Sequence, residues 1–170
     1  MVKHDLALVK YRGRLVSVDA RLPNVLVKEA TDRGELAEFR DYMVVKNEVK
    51  YGNSRLDLLL GDIGGNQCYL EAKSVTLVEN GIARFPDAPT ERGSRHLEEL
   101  ARAAREGHRA AVVFVVQRED ARIFSPNDVT DPRFGATLRR VTEAGVEVYA
   151  YICRVTCFET KIIGPIPVQL

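Results

Sequence analysis

The sequence predicts a single α/β domain built on a mixed central β-sheet flanked by helices. Three observations predict it. Residues 55–73 hold two apolar runs on either side of Gly64-Gly65-Asn66, the pattern of a β-hairpin. Residues 110–117, Ala-Ala-Val-Val-Phe-Val-Val-Gln, are an unbroken apolar run rich in β-branched side chains, which reads as a strand buried on both faces. Helical patterns at about 91–106 and 132–144 flank that run. The full order is strands, helix, three strands, helix, strand, helix, strand, which contains an α–β–β–β–α–β core.

Each element has a local reason. Residues 5–11 and 14–19 flank Arg12-Gly13 and predict a hairpin or a pair of short strands. Leu22-Pro23-Asn24 opens a helix that runs to about Arg33 and is ended by Gly34. Tyr42–Tyr51 predicts a strand, followed by the turn Gly52-Asn53-Ser54 and then the central hairpin. Glu79-Asn80-Gly81 is a turn, and residues 83–90, with two prolines, are expected to be irregular. Thr90 is a fair N-cap for the helix whose buried side carries Leu97, Leu100, Ala101 and Ala104, and Gly107 ends it. The loop 125–128 leads to a helix from Pro132 to Ala144, with Phe134, Leu138 and Val141 on its inner side. Residues 146–155 and about 158–163 predict the last two strands.

At 170 residues the chain can bury one ordinary core, and 45% apolar with 29% charged residues marks a globular protein. The net charge of +1 gives no global electrostatic argument for nucleic acid, so any basic surface must be local. No apolar run approaches the ~20 residues that span a bilayer. The opening Met1-Val2-Lys3-His4-Asp5 lacks the apolar stretch of a signal peptide. The expected location is the cytoplasm, with no membrane partner. Cys68, Cys153 and Cys157 are an odd number of thiols, expected free, with the last two expected in the core.

The central hairpin carries charges where a buried strand should not. A turn centred on Gly64 sets Asp57 opposite Glu71, and Lys73 shares the face of Glu71. Two carboxylates directly across a sheet repel. A divalent cation, a shared proton, or an ordinary Glu71–Lys73 ion pair on a solvated strand would each account for them. Glu29 points either inward to these carboxylates or outward to water. Arg92, Arg95 and His96 sit in the first turns of their helix, where cations oppose its dipole. An anion such as phosphate would offset that cost, as would pairing with Glu91, Glu98 and Glu99 on a solvated face.

The core order, with Asp57 and then Glu71-Ala72-Lys73, resembles the PD-(D/E)xK nuclease superfamily. Three stretches resemble the sugar fermentation stimulation protein A (SfsA) family: Ser17–Asn24, Glu71–Leu77, and above all Arg84-Phe-Pro-Asp-Ala-Pro-Thr-Glu-Arg-Gly-Ser-Arg-His-Leu-Glu-Glu-Leu100. The likeness runs from about residue 5 to about 157.

The resemblance implies a restriction-endonuclease-like core and a site for Mg²⁺ or Mn²⁺. Asp57, Glu71 and the carbonyl of Ala72 would be its ligands. Lys73 would orient water or stabilise charge, and Glu29, on the first core helix, would bind a second metal or a metal-bound water. Arg92, Arg95 and His96 could hold the phosphate backbone of DNA. The activity implied is a metal-dependent DNA endonuclease in which Lys73→Ala abolishes cleavage and barely changes stability. The alternative is a non-catalytic DNA-binding regulator of sugar (maltose) metabolism, and a third reading is a phosphodiesterase acting on RNA or nucleotides. Residues 1–20 would be a remnant of, or link to, an OB-fold domain, and 21–170 the nuclease-like domain. A second subunit or a partner would supply the OB-fold.

Overall fold

The computed structural model describes residues 6–170. Leu8–Tyr11 (β1) and Arg14–Ser17 (β2) form an antiparallel hairpin; position 5 of the expected first strand lies outside the described residues. The helix Leu22–Asp32 (α1) and a short 3₁₀ turn precede Tyr42–Tyr51 (β3), Ser54–Asp62 (β4) and Gln67–Val75 (β5). Leu77–Glu79 (β6) and Ile82–Phe85 (β7) lead to the helix Glu91–Arg105 (α2). Arg109–Val116 (β8), Ile123–Pro126 (β9), the helix Pro132–Glu143 (α3), Glu147–Val155 (β10) and Thr160–Ile166 (β11) complete the chain.

Six strands make the central sheet in the order β11-β10-β8-β5-β4-β3. The β3–β4–β5 meander is antiparallel, β5–β8 and β8–β10 are parallel, and β11 returns antiparallel, so the sheet is mixed. Strand β8 is buried on both faces, as its unbroken apolar run requires. Val112, Phe114 and Val116 pack with α2 and α3 through Leu97, Leu100, Leu138 and Val141. Ala111, Val113 and Val115 face the other way, with Leu26, Val27 and Ala30 of α1. Among the described residues, no helix is long and apolar enough to cross a membrane.

Two expectations fail in the connections. The two-proline segment begins as strand, because β7 pairs with β9 in a small sheet ordered β6-β7-β9. Both strands are too short to show a period of their own. They are held by packing: Phe85 and Phe124 join Phe114 and Phe134 in an aromatic cluster, with Phe114 stacked on Phe124 at 4.0 Å. Cys153 is buried as expected and Cys68 is buried too, but Cys157 is exposed, because β10 ends at Val155 and Cys157 falls in the turn beyond it.

The start of α2 is held by two caps. Thr90 caps this helix by accepting from the Gly93 N–H at 2.9 Å. Asp131 caps α3 through the Phe134 N–H and also accepts from the Thr90 N–H, both at 2.9 Å. One buried carboxylate thus sets the first turns of two helices. Asp131→Ala is expected to lower the free energy of unfolding by about 2 kcal/mol, read as a lower urea midpoint at an unchanged slope.

Candidate metal centre

The sheet makes the site by coming apart. Strands β4 and β5 pair in register from Gly61–Gln67 to Leu58–Leu70, the register that a turn centred on Gly64 predicts. Beyond Leu58 they part. Leu56 packs toward α2 and α3, whereas Leu58 packs toward α1. Residues two apart on a flat strand share a face, so β4 turns over at Asp57. The Asp57 side chain then takes the place of the missing strand: its Oδ2 accepts from the Ala72 N–H at 2.8 Å. The N–H and C=O of one strand residue point to the same edge, so the Ala72 carbonyl also faces the gap.

Asp57 Oδ1 accepts from the Asn24 amide on α1 at 2.6 Å. Across the gap, Glu71 Oε1 accepts from Lys73 Nζ at 2.6 Å and from His96 Nδ1 at 2.5 Å. Glu71 is 3% exposed, and its Oε2 is buried with no hydrogen-bond partner among the described residues. Asp57, Glu71, Ala72 and Lys73 line a cleft of about 830 Å³, with Arg21 and Asn24 at the start of α1 on one side, Arg92 of α2 on the other, and Glu48 and Asp87 also in its lining. The buried amide of Gln117 ties two walls together, donating to Ser74 Oγ at 2.7 Å and to the Asp19 carbonyl at 3.1 Å.

The two carboxylates are tuned apart. Burial and the neighbouring charge of Glu71 push Asp57 up to about 6, against weaker pulls from the Ala72 N–H, Lys73 and Asn24. Burial also works to raise Glu71. There the His96 hydrogen bond and the Lys73 ammonium outweigh it, and the net shift is downward.

Not all the expected site residues meet here. Asp57, Glu71, Ala72, Lys73, Arg92 and His96 do. Glu29 does not: it pairs with Arg33 at 3.5 Å and is half exposed. Five helical residues separate it from Asn24, an angle of about 140° around α1, so a helix that aims Asn24 at Asp57 turns Glu29 away. Arg95 also stands apart, in a hollow between α2 and α3 beside Glu98, Arg133 and Arg140. It follows Arg92 by three residues and precedes His96 by one, which carries it about 100° around the helix from the buried histidine. His96 is itself 3% exposed, too deep to touch a DNA backbone. Among the described residues, no group of three or more His, Cys, Asp or Glu side chains is placed to hold a metal ion.

Asn24 and Arg21 in the cleft, and Gln117 buried behind it, are the residues that sequence reasoning missed. The signal for Asn24 lay in α1 itself, where the face turned toward β4 carries an amide instead of an acid. Nothing in the local sequence marks Gln117, whose partners Asp19 and Ser74 are distant in the chain.

A family model described as the sugar fermentation stimulation protein RE domain matches residues 21–158. The chain is 51% identical over 168 residues to a sugar fermentation stimulation protein homolog of Desulforamulus reducens, covering 99% of this chain and 70% of the relative. It is 49% identical over 167 residues to a homolog of Moorella thermoacetica, covering 98% and 72% respectively. Among solved structures, Pyrococcus furiosus SfsA in complex with Ca²⁺ has a TM-score of 0.91 at 31% identity, covering 96% of this chain and 71% of that one.

The raised Asp57 gives a pH signature with a definite sign. Well below pH 3.8 the residue is protonated in both folded and unfolded chains. Between its ordinary 3.8 and its folded value of about 6, the unfolded chain releases the proton first, so stability falls as pH rises through this window. Asp57→Asn removes the charge and keeps both hydrogen bonds if the Asn24 amide turns over. In EDTA, urea unfolding at pH 7.5 should show this variant more stable than the parent by roughly 1–3 kcal/mol, with the difference shrinking near pH 4.5.

Proposed function

The chain belongs to the sugar fermentation stimulation protein (SfsA) family, and from that footing we propose that it is a DNA-directed nuclease whose cleft works with a divalent cation. The observation that carries the reading is Glu71 Oε2, a buried carboxylate oxygen without a partner among the described residues, beside the half-buried carboxylate of Asp57. Leaving such an atom unmatched is costly, and a bound cation would match it. The donor set fits a hard cation: Glu71 Oε2, Asp57, which keeps a free lone-pair position on each oxygen, and the Ala72 carbonyl. The Pyrococcus furiosus relative is in complex with Ca²⁺, an oxygen-seeking cation of the same kind. Mg²⁺ or Mn²⁺ is the reading for this chain, and two carboxylates with one carbonyl leave coordination positions for water and phosphate.

When bound, such a cation polarises a phosphoryl oxygen and makes water a stronger nucleophile. The protein supplies the rest. Lys73, only 12% exposed and anchored on Glu71, presents its ammonium at the cleft wall. There it can hold a water or a developing negative charge. Arg92 and Arg21 stand on opposite sides of the cleft and suit the phosphates that flank a scissile bond.

A second reading has one observation behind it. With Glu29 turned away, α1 contributes an amide and no acid to the site. A protein that binds DNA with its cation and does not turn over would fit that depleted ligand set.

Cleavage of plasmid and single-stranded DNA with Mg²⁺ and with Mn²⁺ tests both readings. Lys73→Ala is not the neutral probe that the sequence suggests, because Lys73 and His96 together hold the buried Glu71. It should destabilise the fold by roughly 1–3 kcal/mol. Lys73→Gln keeps a donor for Glu71 and is the better variant. The parent should cut, and Lys73→Gln should lose at least ~100-fold in rate while remaining folded. A parent that binds Mn²⁺ and DNA without cutting either substrate would favour the second reading. A parent that binds no Mn²⁺ would sink both.

A further inference from the structure

His96 has a place in this site different from the phosphate contact its sequence position suggests. It is buried in the second turn of α2, and both of its ring nitrogens are engaged. Nδ1 lies 2.5 Å from Glu71 Oε1, and Nε2 lies 3.4 Å from Arg92 Nε. An ionised carboxylate can only accept, so Nδ1 carries the proton. The Arg92 Nε–H can only donate, so Nε2 offers a lone pair. The two contacts together select one neutral tautomer.

The consequence falls on Glu71. Its Oε1 is held from two directions, by His96 and by Lys73 two residues along the strand. Two donors on one oxygen fix the rotation of the carboxylate, and with it the direction of the other oxygen, which is buried and has no partner among the described residues. The support under His96 is stiff. It belongs to a helix whose first turn is capped by Thr90, itself held by Asp131. Arg92, one turn earlier on the same face, closes the ring from the cleft.

We propose that His96 is a positioning residue: through Nδ1 it sets the Glu71 carboxylate for cation binding, and through Nε2 it ties that carboxylate to Arg92 at the cleft wall. The proposal rests on the metal-site reading above. It differs from a packing role for a buried histidine because it assigns the effect to one ring nitrogen.

That difference can be measured by Mn²⁺ binding, followed by electron paramagnetic resonance or calorimetry, with no turnover needed. An asparagine amide falls near the place of Nδ1, and a glutamine amide near that of Nε2. His96→Asn should bind Mn²⁺ within about 3-fold of the parent, whereas His96→Gln and His96→Leu should bind about 10–100-fold more weakly. Far-UV circular dichroism and melting temperature establish that the compared variants are folded. If His96→Leu fails to fold, the Asn and Gln variants still decide the matter. Parent-like affinity in His96→Gln would overturn the proposal. So would an affinity in folded His96→Asn as weak as in His96→Gln. Glu71→Gln separates the two levels of inference: a parent whose Mn²⁺ binding survives that change has its cation elsewhere, and the metal-site reading falls together with the role of His96.

Discussion

The bond from the Ala72 N–H to Asp57 Oδ2 is the constraint on which the site depends. A strand that leaves its neighbour exposes that neighbour's backbone groups, and buried backbone groups must be paired. Here a side chain does the pairing. The carboxylate of Asp57 satisfies the N–H, while the carbonyl of the same residue stays open to the cleft. A sheet that remained zipped to its end would have no gap between β4 and β5. A sheet that parted without Asp57 would leave Ala72 unpaired. One acidic residue therefore permits the opening and furnishes it.

The same opening explains why a buried and a half-buried carboxylate tolerate each other. They receive different help. Glu71 has an ammonium and an imidazole N–H on one oxygen, which together overcome its burial. Asp57 has two neutral donors, an amide from α1 and a backbone N–H, which do not. As pH falls the pair therefore takes its first proton on Asp57, ahead of Glu71. The asymmetry comes from the two faces of the sheet: the α2 side delivers charge and rigid donors, the α1 side a single neutral amide.

Much of this was legible in the sequence, for physical reasons that can be named. The hairpin register was readable from Gly61–Gln67 to Leu58–Leu70 because the side-chain period of a strand is two and the Gly-Gly-Asn turn is short, but the pairing of Asp57 with Glu71 expected from it does not form, since the strands part beyond Leu58. The buried strand β8 announced itself by an unbroken run. Helix α1 was readable as a helix but not in its rotation, because its polar residues do not mark a single solvent face. Glu29 read as either inward or outward, and nothing singled out Asn24, until the packing of Leu26, Val27 and Ala30 fixed the angle. The small sheet was hidden because its strands have four residues or fewer, and pairing between β7 and β9 joins segments about forty residues apart. His96 was readable as a member of the site. Its burial was not, since it depends on α2 lying against β5.

The charges of the cleft set a condition on what it can bind. Four carboxylates line the cleft, Glu48, Asp57, Glu71 and Asp87, against three cations, Arg21, Lys73 and Arg92, which leaves one net negative charge when all are ionised. On its own such a lining would repel a phosphodiester at close range. A divalent cation reverses the sign, leaving one net positive charge, which a single phosphodiester then neutralises. The cleft is thus balanced for cation and phosphate together and for neither alone. On the proposed reading, a cation and a nucleic acid would strengthen each other's binding reciprocally, and the coupling would weaken as salt screened the phosphate contacts.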